Sequence, residues 1–558
     1  MYQLSPKWLA KALLKSTIAL HYQSVPLLAN RSSNDELDIY EKEGSYLNGV
    51  LSHSPKRFIP RHGEQVELTI ALEKMPSTLV HYPTADKIRN AALLAIGVLW
   101  TMARPSIFLE LKNSHKPLHP TAFLDGMRGV AAFFVVLAHV GMLFYPLHSH
   151  GWSSEDPHFF ELPIIRLLYS GAAMVTIFFI ISGYALSYKP LLLLRKGARA
   201  KVFDTLASAM FRRGVRLFLP VIVVAFWCVC ALHFDLNYPS KGKDKIDPRV
   251  ATVGSSLWWW FNQTMRGLNP FIAHYGNLFD QPFPEIDRTL WTIPVEYRGS
   301  VAVFALILIF IKTHRRTRLG LEGAYLTWLT YVGQWDIFLF VAGMVCCEIH
   351  HITNPPATPR SVEGPLPSVE QSEQFRPRTS TTVHSMIRKK VLPLFMLFPI
   401  LYILTQPENW LGRGDAPLYA TLDAYLPPSW SRNEEAGRFW PCIAAIALVL
   451  LVQHTPILRR LFTFPPAQYL GKISYSLYLV HRTLLNMVLA RLRLFVFSWT
   501  AKWISLWWLR ECFSLLTIAV LFFPLLLWVA DLFTRYVDQA SVELAKWLEN
   551  KCCGSELE

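Results

Sequence analysis

The sequence predicts an all-α protein, a polytopic transmembrane helical bundle of about ten spans. Of its 558 residues, 52% are hydrophobic and 17% are charged, and the mean hydropathy is +0.26. Several apolar runs reach about 20 residues, the length that an α-helix needs to cross the hydrocarbon core of a bilayer. Because lipid offers the backbone no hydrogen-bonding partner, such runs are expected to form helices that pack together.

The predicted spans follow from where the apolar runs begin and end. They cover about 123–145, 170–188, 214–234, 291–311, 391–405, 439–455, 467–489 and 512–533. A further apolar stretch, 321–349, is interrupted at Gly333–Asp336. It forms either one long span or a helical hairpin, so the predicted total is nine or ten.

Three segments fall outside the predicted spans. Residues 1–118 are mixed polar sequence, and we interpret them as a cytosolic, partly disordered N-terminal extension. Residues 350–390 are rich in proline and are predicted to be a disordered insert. Residues 536–558 are interpreted as a cytosolic C-terminal tail, which leaves 119–535 as the transmembrane domain.

The charge distribution predicts how the bundle is oriented. The net charge is +15, and much of it falls in short loops beside apolar runs, which is the pattern that orients membrane proteins. The loop after the second run is basic from Lys189 to Arg213, whereas the loop after the first contains Glu155, Asp156 and Glu161. We therefore expect a multi-pass protein of an endomembrane or the plasma membrane, with a cytosolic N-terminus and no nucleic-acid partner.

The apolar run from Phe123 to Tyr145 carries three ionisable residues, Asp125, Arg128 and His139. Ionisable groups inside a spanning helix are costly, so they are functional candidates. Eleven helical steps separate Arg128 from His139, which places them only ~20° apart around the axis and ~16 Å apart along it. Asp125 lies three positions before Arg128 and can pair with it. One face of this helix thus offers a cation near one surface and an imidazole deep in the bilayer.

Five stretches resemble, in the same order, the motifs of the membrane acyltransferase-3 family. They are LDGMRG at 124–129 followed by His139, FFIISGY at 178–184, FRRGVRLFLP at 211–220, LWTIPVE at 290–296 and LGKISYSLYLVH at 470–481. The resemblance covers about 119–535, and the long loops and the proline-rich insert are similar to fungal members.

This resemblance implies an integral membrane O-acyltransferase, an enzyme that transfers groups other than amino-acyl groups. Its acyl group, most simply acetyl, would come from acyl-CoA as a co-substrate and pass to a hydroxyl of a sugar, lipid or secondary metabolite. In the family, the matching residues imply His139 as the base and Arg128 in donor binding or in organising the site. We expect no bound cofactor and no metal, since the eight cysteines are scattered without metal-ligand spacing.

Other polar residues in the predicted spans complete the candidate site. By depth, Glu296 and His481 can share a level with His139, and Glu296 can hold the imidazole in the tautomer that accepts a proton. Arginine recognises the phosphates of acyl-CoA well. We expect donor binding from Arg212, Arg213, Arg216, Ser474 and Tyr475, and supporting roles for Asp125, Ser182, Trp291 and His481.

The same residues also allow structural and non-catalytic interpretations. Arg128 can simply extend to the membrane surface, and Ser182 with Gly183 can be small residues for close helix packing. A multi-pass transporter would also line its solute path with polar side chains. A non-catalytic membrane scaffold, with a partner bound to 1–118 or 350–390, is the other alternative.

Overall fold

A computed structural model describes most of the chain after residue 117. The described residues are 104–106, 118–144, 151–155, 157–237, 250–271, 286–354, 392–407, 416–430 and 437–553. All of them belong to one compact unit, Ala95–Glu558. Most of the predicted N-terminal extension and residues 355–390 of the proline-rich insert lie outside this range.

The first half of the described chain forms seven α-helices. They are α1 (Ala122–Phe144), α2 (Gly171–Arg195), α3 (Arg199–His233), α4 (Val253–Gly267), α5 (Thr292–Ile309), α6 (Arg315–Val332) and α7 (Trp335–Thr353). Short 3₁₀ turns at Phe159–Glu161, Ile165–Tyr169 and Arg288–Trp291 connect them. The all-α membrane bundle predicted from the apolar runs is thereby confirmed.

The second half adds eight helices within the described residues. They are α8 (Leu392–Leu404), α9 (Tyr419–Ala424), α10 (Phe439–His454), α11 (Pro456–Thr463), α12 (Pro465–Leu484), α13 (Ala490–Thr500), α14 (Trp507–Phe533) and α15 (Gln539–Cys552). Two π-helical turns, Leu485–Leu489 and Thr534–Asp538, join α12 to α13 and α14 to α15 without a break.

Six helical segments of the described chain are long and apolar enough to span a membrane. They contain α1, α2, α3, α5, α7 and α14, and a seventh span results if α10 and α11, which meet at a 97° bend, count as one. At the interruption noted at Gly333–Asp336 the chain forms two helices: Gly333 adopts φ 78° and ends α6, and α7 begins at Trp335. The total of nine or ten stays a prediction.

Close backbone contacts fix how the helices around the site cross. A Cβ placed on Gly129 of α1 would lie 2.2 Å from the backbone nitrogen of Gly471 on α12. A Cβ on Gly183 of α2 would lie 2.0 Å from the carbonyl oxygen of Phe340 on α7. Because membrane helices gain their packing energy from such contacts, glycine is needed at both crossings. The first crossing brings the Arg128–His139 face of α1 against α12.

The segment predicted as a C-terminal tail is helical as far as Cys552. Along α15, Ser541 and Ala545 are buried, and the Arg212 guanidinium of α3 pairs with Glu549 at 3.1 Å. The segment therefore packs along α3, beside the part of that helix that contributes to the candidate site.

Candidate active site

A polar cavity lies where α1, α2, α3, α5 and α12 converge with the π-turn before α15. Its empty volume is about 800 Å³, including the open mouth. The polar and charged residues that line it are Arg128, Ser182, Arg213, Arg216, Thr292, Glu296, Lys472, Ser474, Tyr475, Tyr478 and Asp538. Four of these side chains are cationic and two are carboxylates, so the walls carry a net positive charge and suit an anionic ligand.

Arg128 contributes the cation that the sequence placed near one surface. Its Nη2 lies 3.2 Å from Oδ1 of Asp125, so the expected pair is formed. Both side chains are substantially exposed, at 35% and 55%, and such a pair contributes little to stability. Asp125 therefore orients Arg128 at the cavity rather than holding the bundle together.

Arg213 and Glu296 form the charged centre of the cavity wall. Nη2 of Arg213 lies 2.9 Å from Oε1 of Glu296, and its Nε donates to Oγ of Ser300 at 3.0 Å. Ser182 donates its hydroxyl to the same Glu296 oxygen at 3.2 Å. This bond fixes the Ser182 hydroxyl on a carboxylate, while its neighbour Gly183 serves the helix crossing.

The Glu296 carboxylate does not hold an imidazole, contrary to the role expected from its depth. Its side-chain hydrogen bonds go to Arg213 and Ser182. Depth along a helix sets a level but leaves open which neighbour a side chain faces, and here α5 turns Glu296 toward α2 and α3. The orienting role for the imidazole falls to the backbone instead.

His139 and His481 lie together, with ring centroids 5.0 Å apart. Nδ1 of His139 is 2.9 Å from the carbonyl oxygen of Val135, and Nδ1 of His481 is 2.6 Å from that of Tyr478. Because a carbonyl oxygen can only accept, Nδ1 carries the hydrogen in both rings. In the neutral rings Nε2 is then a lone-pair acceptor, which is the form a general base requires.

Tyr478 links the cavity to this histidine pair, neither of which is part of the cavity lining. It lines the cavity, and its ring centroid is 5.8 Å from that of His481. Its hydroxyl donates to the carbonyl oxygen of Thr289 at 2.8 Å and accepts from the Thr292 hydroxyl at 2.8 Å. These bonds hold the ring in the cavity wall.

The remaining predicted site residues divide into two groups. Arg216, Ser474 and Tyr475 line the cavity, where the Tyr475 hydroxyl donates to the Leu217 carbonyl at 2.6 Å. Arg212 lies outside the lining and is paired with Glu549. Trp291 also lies outside, packed edge-on against Trp335 at 6.2 Å.

Two charged residues of the cavity lining were not among the predicted site residues. Lys472 belongs to the LGKISYS stretch, and a lysine inside an apolar run was itself a signal. Asp538 lies beyond the predicted transmembrane domain and reaches the cavity through the π-turn that precedes α15. Within the described chain, no three His, Cys, Asp or Glu side chains are grouped as metal ligands would be.

Comparisons with known proteins identify relatives of this chain. An acyltransferase domain model, Acyl_transf_3, matches residues 121–535. The O-acetyltransferase PaAT-1 of Phomopsis amygdali is 32% identical over 83% of this chain and 90% of its own. The acyltransferase R4 of a Phoma species is 28% identical over 66% of this chain and 84% of its own.

More distant similarity extends to a bacterial enzyme. The peptidoglycan O-acetyltransferase OatA of Listeria monocytogenes is 22% identical over 65% of this chain and 49% of its own. No solved structure matches the chain. Because the domain match covers well over half of the sequence, this chain belongs to the acyltransferase-3 family and is a fungal-type membrane O-acyltransferase.

Proposed function

We propose that the protein transfers an acyl group, most simply acetyl, from acyl-CoA to a hydroxyl of a sugar, lipid or secondary metabolite. The observation that carries the proposal is the cationic cavity inside an apolar bundle, lined by Arg128, Arg213, Arg216 and Lys472. Acyl-CoA is an anionic thioester, and guanidinium groups bind phosphate with two parallel hydrogen bonds. A hydrophobic solute or a lipid tail carries no charge that these cations could bind.

The donor would enter from the end of the bundle at which Arg128 lies. The junction between α2 and α3 is at this end, because α2 runs back antiparallel to α1, and it carries Arg195, Lys196 and Arg199. Basic residues beside spans favour the cytosolic side, where acyl-CoA is available. We therefore assign the cavity mouth to the cytosol.

The proposed reaction exchanges a thioester for an ester with no net uptake or release of a proton. The acceptor hydroxyl attacks the thioester carbonyl while Nε2 of His139 takes its proton. The carbon–sulfur bond then breaks, and the imidazolium returns the proton to the departing thiolate. The histidine pair lies outside the cavity lining and His481 contacts Tyr478, so the thioester end of the donor would have to move past Tyr478, or the acyl group would be carried inward before transfer.

We favour acetyl as the transferred acyl group because two relatives carry names that state O-acetyl transfer. The acceptor belongs to the wider class of hydroxyl-bearing metabolites, glycans and lipids. Mass spectrometry of small molecules and lipids, with and without the gene, would identify the acceptor as the species that loses one acetyl group when the gene is deleted.

The decisive experiment uses the full-length protein purified in detergent. With acetyl-CoA, and without any membrane gradient, we expect release of the CoA thiol, measured with a thiol reagent, and its acceleration by an extract containing the acceptor. A transporter would need a gradient and two compartments, and a scaffold would release no thiol. Absence of thiol release with acetyl-CoA and with longer acyl-CoA thioesters would overturn the proposal.

Two arginines four residues apart test how the donor is bound. We expect Arg216→Gln to raise KM for acetyl-CoA by about tenfold or more, with a smaller effect on kcat, because a cavity guanidinium is lost. Arg212→Gln should change KM less than about twofold, because Arg212 pairs with Glu549 outside the cavity. Steady-state kinetics on both variants measure the difference, and equal effects would contradict it.

A further inference from the structure

We propose that Asp538, which lies beyond the matched domain, positions the guanidinium groups of Arg128 and Arg216 for the anionic acyl donor. This inference rests on the proposed function, since it names a further residue of the same donor site. It also gives the C-terminal segment a part in the enzyme, as a fixed wall of the cavity.

The π-turn places Asp538 at the cavity. The turn covers Thr534–Asp538, where the Thr534 hydroxyl lies 2.8 Å from the Ala530 carbonyl of the same helix and 2.8 Å from the Ser476 hydroxyl of α12. A π-turn inserts an extra residue into a helix and changes the direction of the side chains that follow, and such turns are frequent at functional sites. Here it ends at a carboxylate that lines the cavity.

The charges around Asp538 indicate what it acts on. Asp538 lines the same cavity as Arg216 and Arg128. Its Oδ1 is buried and has no hydrogen-bond partner within the described residues. Two guanidinium groups that line one cavity repel each other, and a carboxylate in the same lining lowers that repulsion and favours positions of the guanidinium groups nearer to it.

The C-terminal helix keeps this carboxylate in place. Ser541 and Ala545 are buried, and the Ser541 hydroxyl donates to the Val537 carbonyl at 2.7 Å. Farther along, Glu549 pairs with Arg212 at 3.1 Å, but this partly exposed pair contributes little beside the packing of the helix. The helix thus lies along α3, the same element that supplies Arg216, so the distance between the two charges is set by packing.

The test compares two carboxylates of the same segment. Asp538→Asn should raise KM for acetyl-CoA about tenfold while kcat changes less than about threefold, because the two arginines lose the negative charge in their cavity but the acyl-transfer step is untouched. Asp538→Glu should recover most of the wild-type KM. Glu549→Gln removes an equal charge outside the cavity and should leave KM within about twofold.

A second measurement separates this inference from the proposed function. Stabilisation of the purified protein by CoA alone, followed as a shift of its thermal unfolding midpoint, should be reduced in Asp538→Asn and kept in Glu549→Gln. An unchanged or lowered KM in Asp538→Asn overturns the inference, since the carboxylate would then be idle or repulsive. If Asp538→Asn is not recovered folded, Asp538→Ser takes its place. Wild-type protein inactive with every acyl-CoA would instead overturn the proposed function.

Discussion

Replacing His139 with alanine should lower acyl transfer by about a thousandfold, within the range that a positioned general base contributes. The reason is the geometry of the ring, whose Nδ1 donates to the Val135 carbonyl and whose Nε2 is left as the proton acceptor. His481 keeps its own bond to the Tyr478 carbonyl and stays fully buried, so we do not expect it to replace His139. The rate of acetyl transfer by purified protein measures the loss.

The control for this experiment is another histidine of the same chain. His314 is exposed immediately before α6 and lies outside the cavity lining, so His314→Ala should transfer acetyl at the wild-type rate. Both variants should elute as the wild-type protein does and unfold at a similar temperature. Wild-type transfer by a folded His139→Ala variant would remove this imidazole from the mechanism.

Helical periodicity accounts for what could be predicted of the site. The Asp125–Arg128 contact followed from a spacing of three residues. Counting depth along two spans placed His139 and His481 at one level, and the contact between their rings is seen only in the structure. Spacing and depth depend only on a single helix and on the direction in which that helix crosses the membrane. The family motifs then indicated which of the polar residues to consider together.

Side-chain direction between helices could not be predicted in this way. Arg212 and Arg213 are adjacent in sequence, yet the ~100° step between them turns Arg212 toward Glu549 and Arg213 toward Glu296. Both can share a helix face with Arg216, because Arg212 lies four and Arg213 three positions before it. Spacing alone therefore does not predict which of the two lines the cavity. The contribution of Asp538 depends on α15 packing along α3, a long-range contact for which the sequence has no local signal.

The crossing of α1 with α12 leads to a prediction about folding. Gly129→Ala should prevent most of the protein from folding, because its Cβ would lie 2.2 Å from the backbone nitrogen of Gly471 and 2.5 Å from the carbonyl carbon of Leu470. These are backbone atoms, which cannot move aside as the end of a flexible side chain can. Separating the helices would cost about 3 kcal/mol or more, at the upper end of overpacking effects. Yield of monodisperse protein in detergent and its thermal unfolding midpoint measure the loss.

Gly141 of the same helix provides the matched comparison. A Cβ at Gly141 meets no atom within 4 Å, so Gly141→Ala adds a methyl group to open space and improves helix propensity by about 1 kcal/mol. We expect this variant to be recovered in wild-type yield with an equal or higher unfolding midpoint. Since both substitutions put the same residue into α1, a difference between them isolates contact with α12 from any effect on the helix itself. Equal stability of the two variants would mean that α1 and α12 are not in backbone contact, and the shared position of Arg128, His139 and the α12 residues around the cavity would then need another explanation.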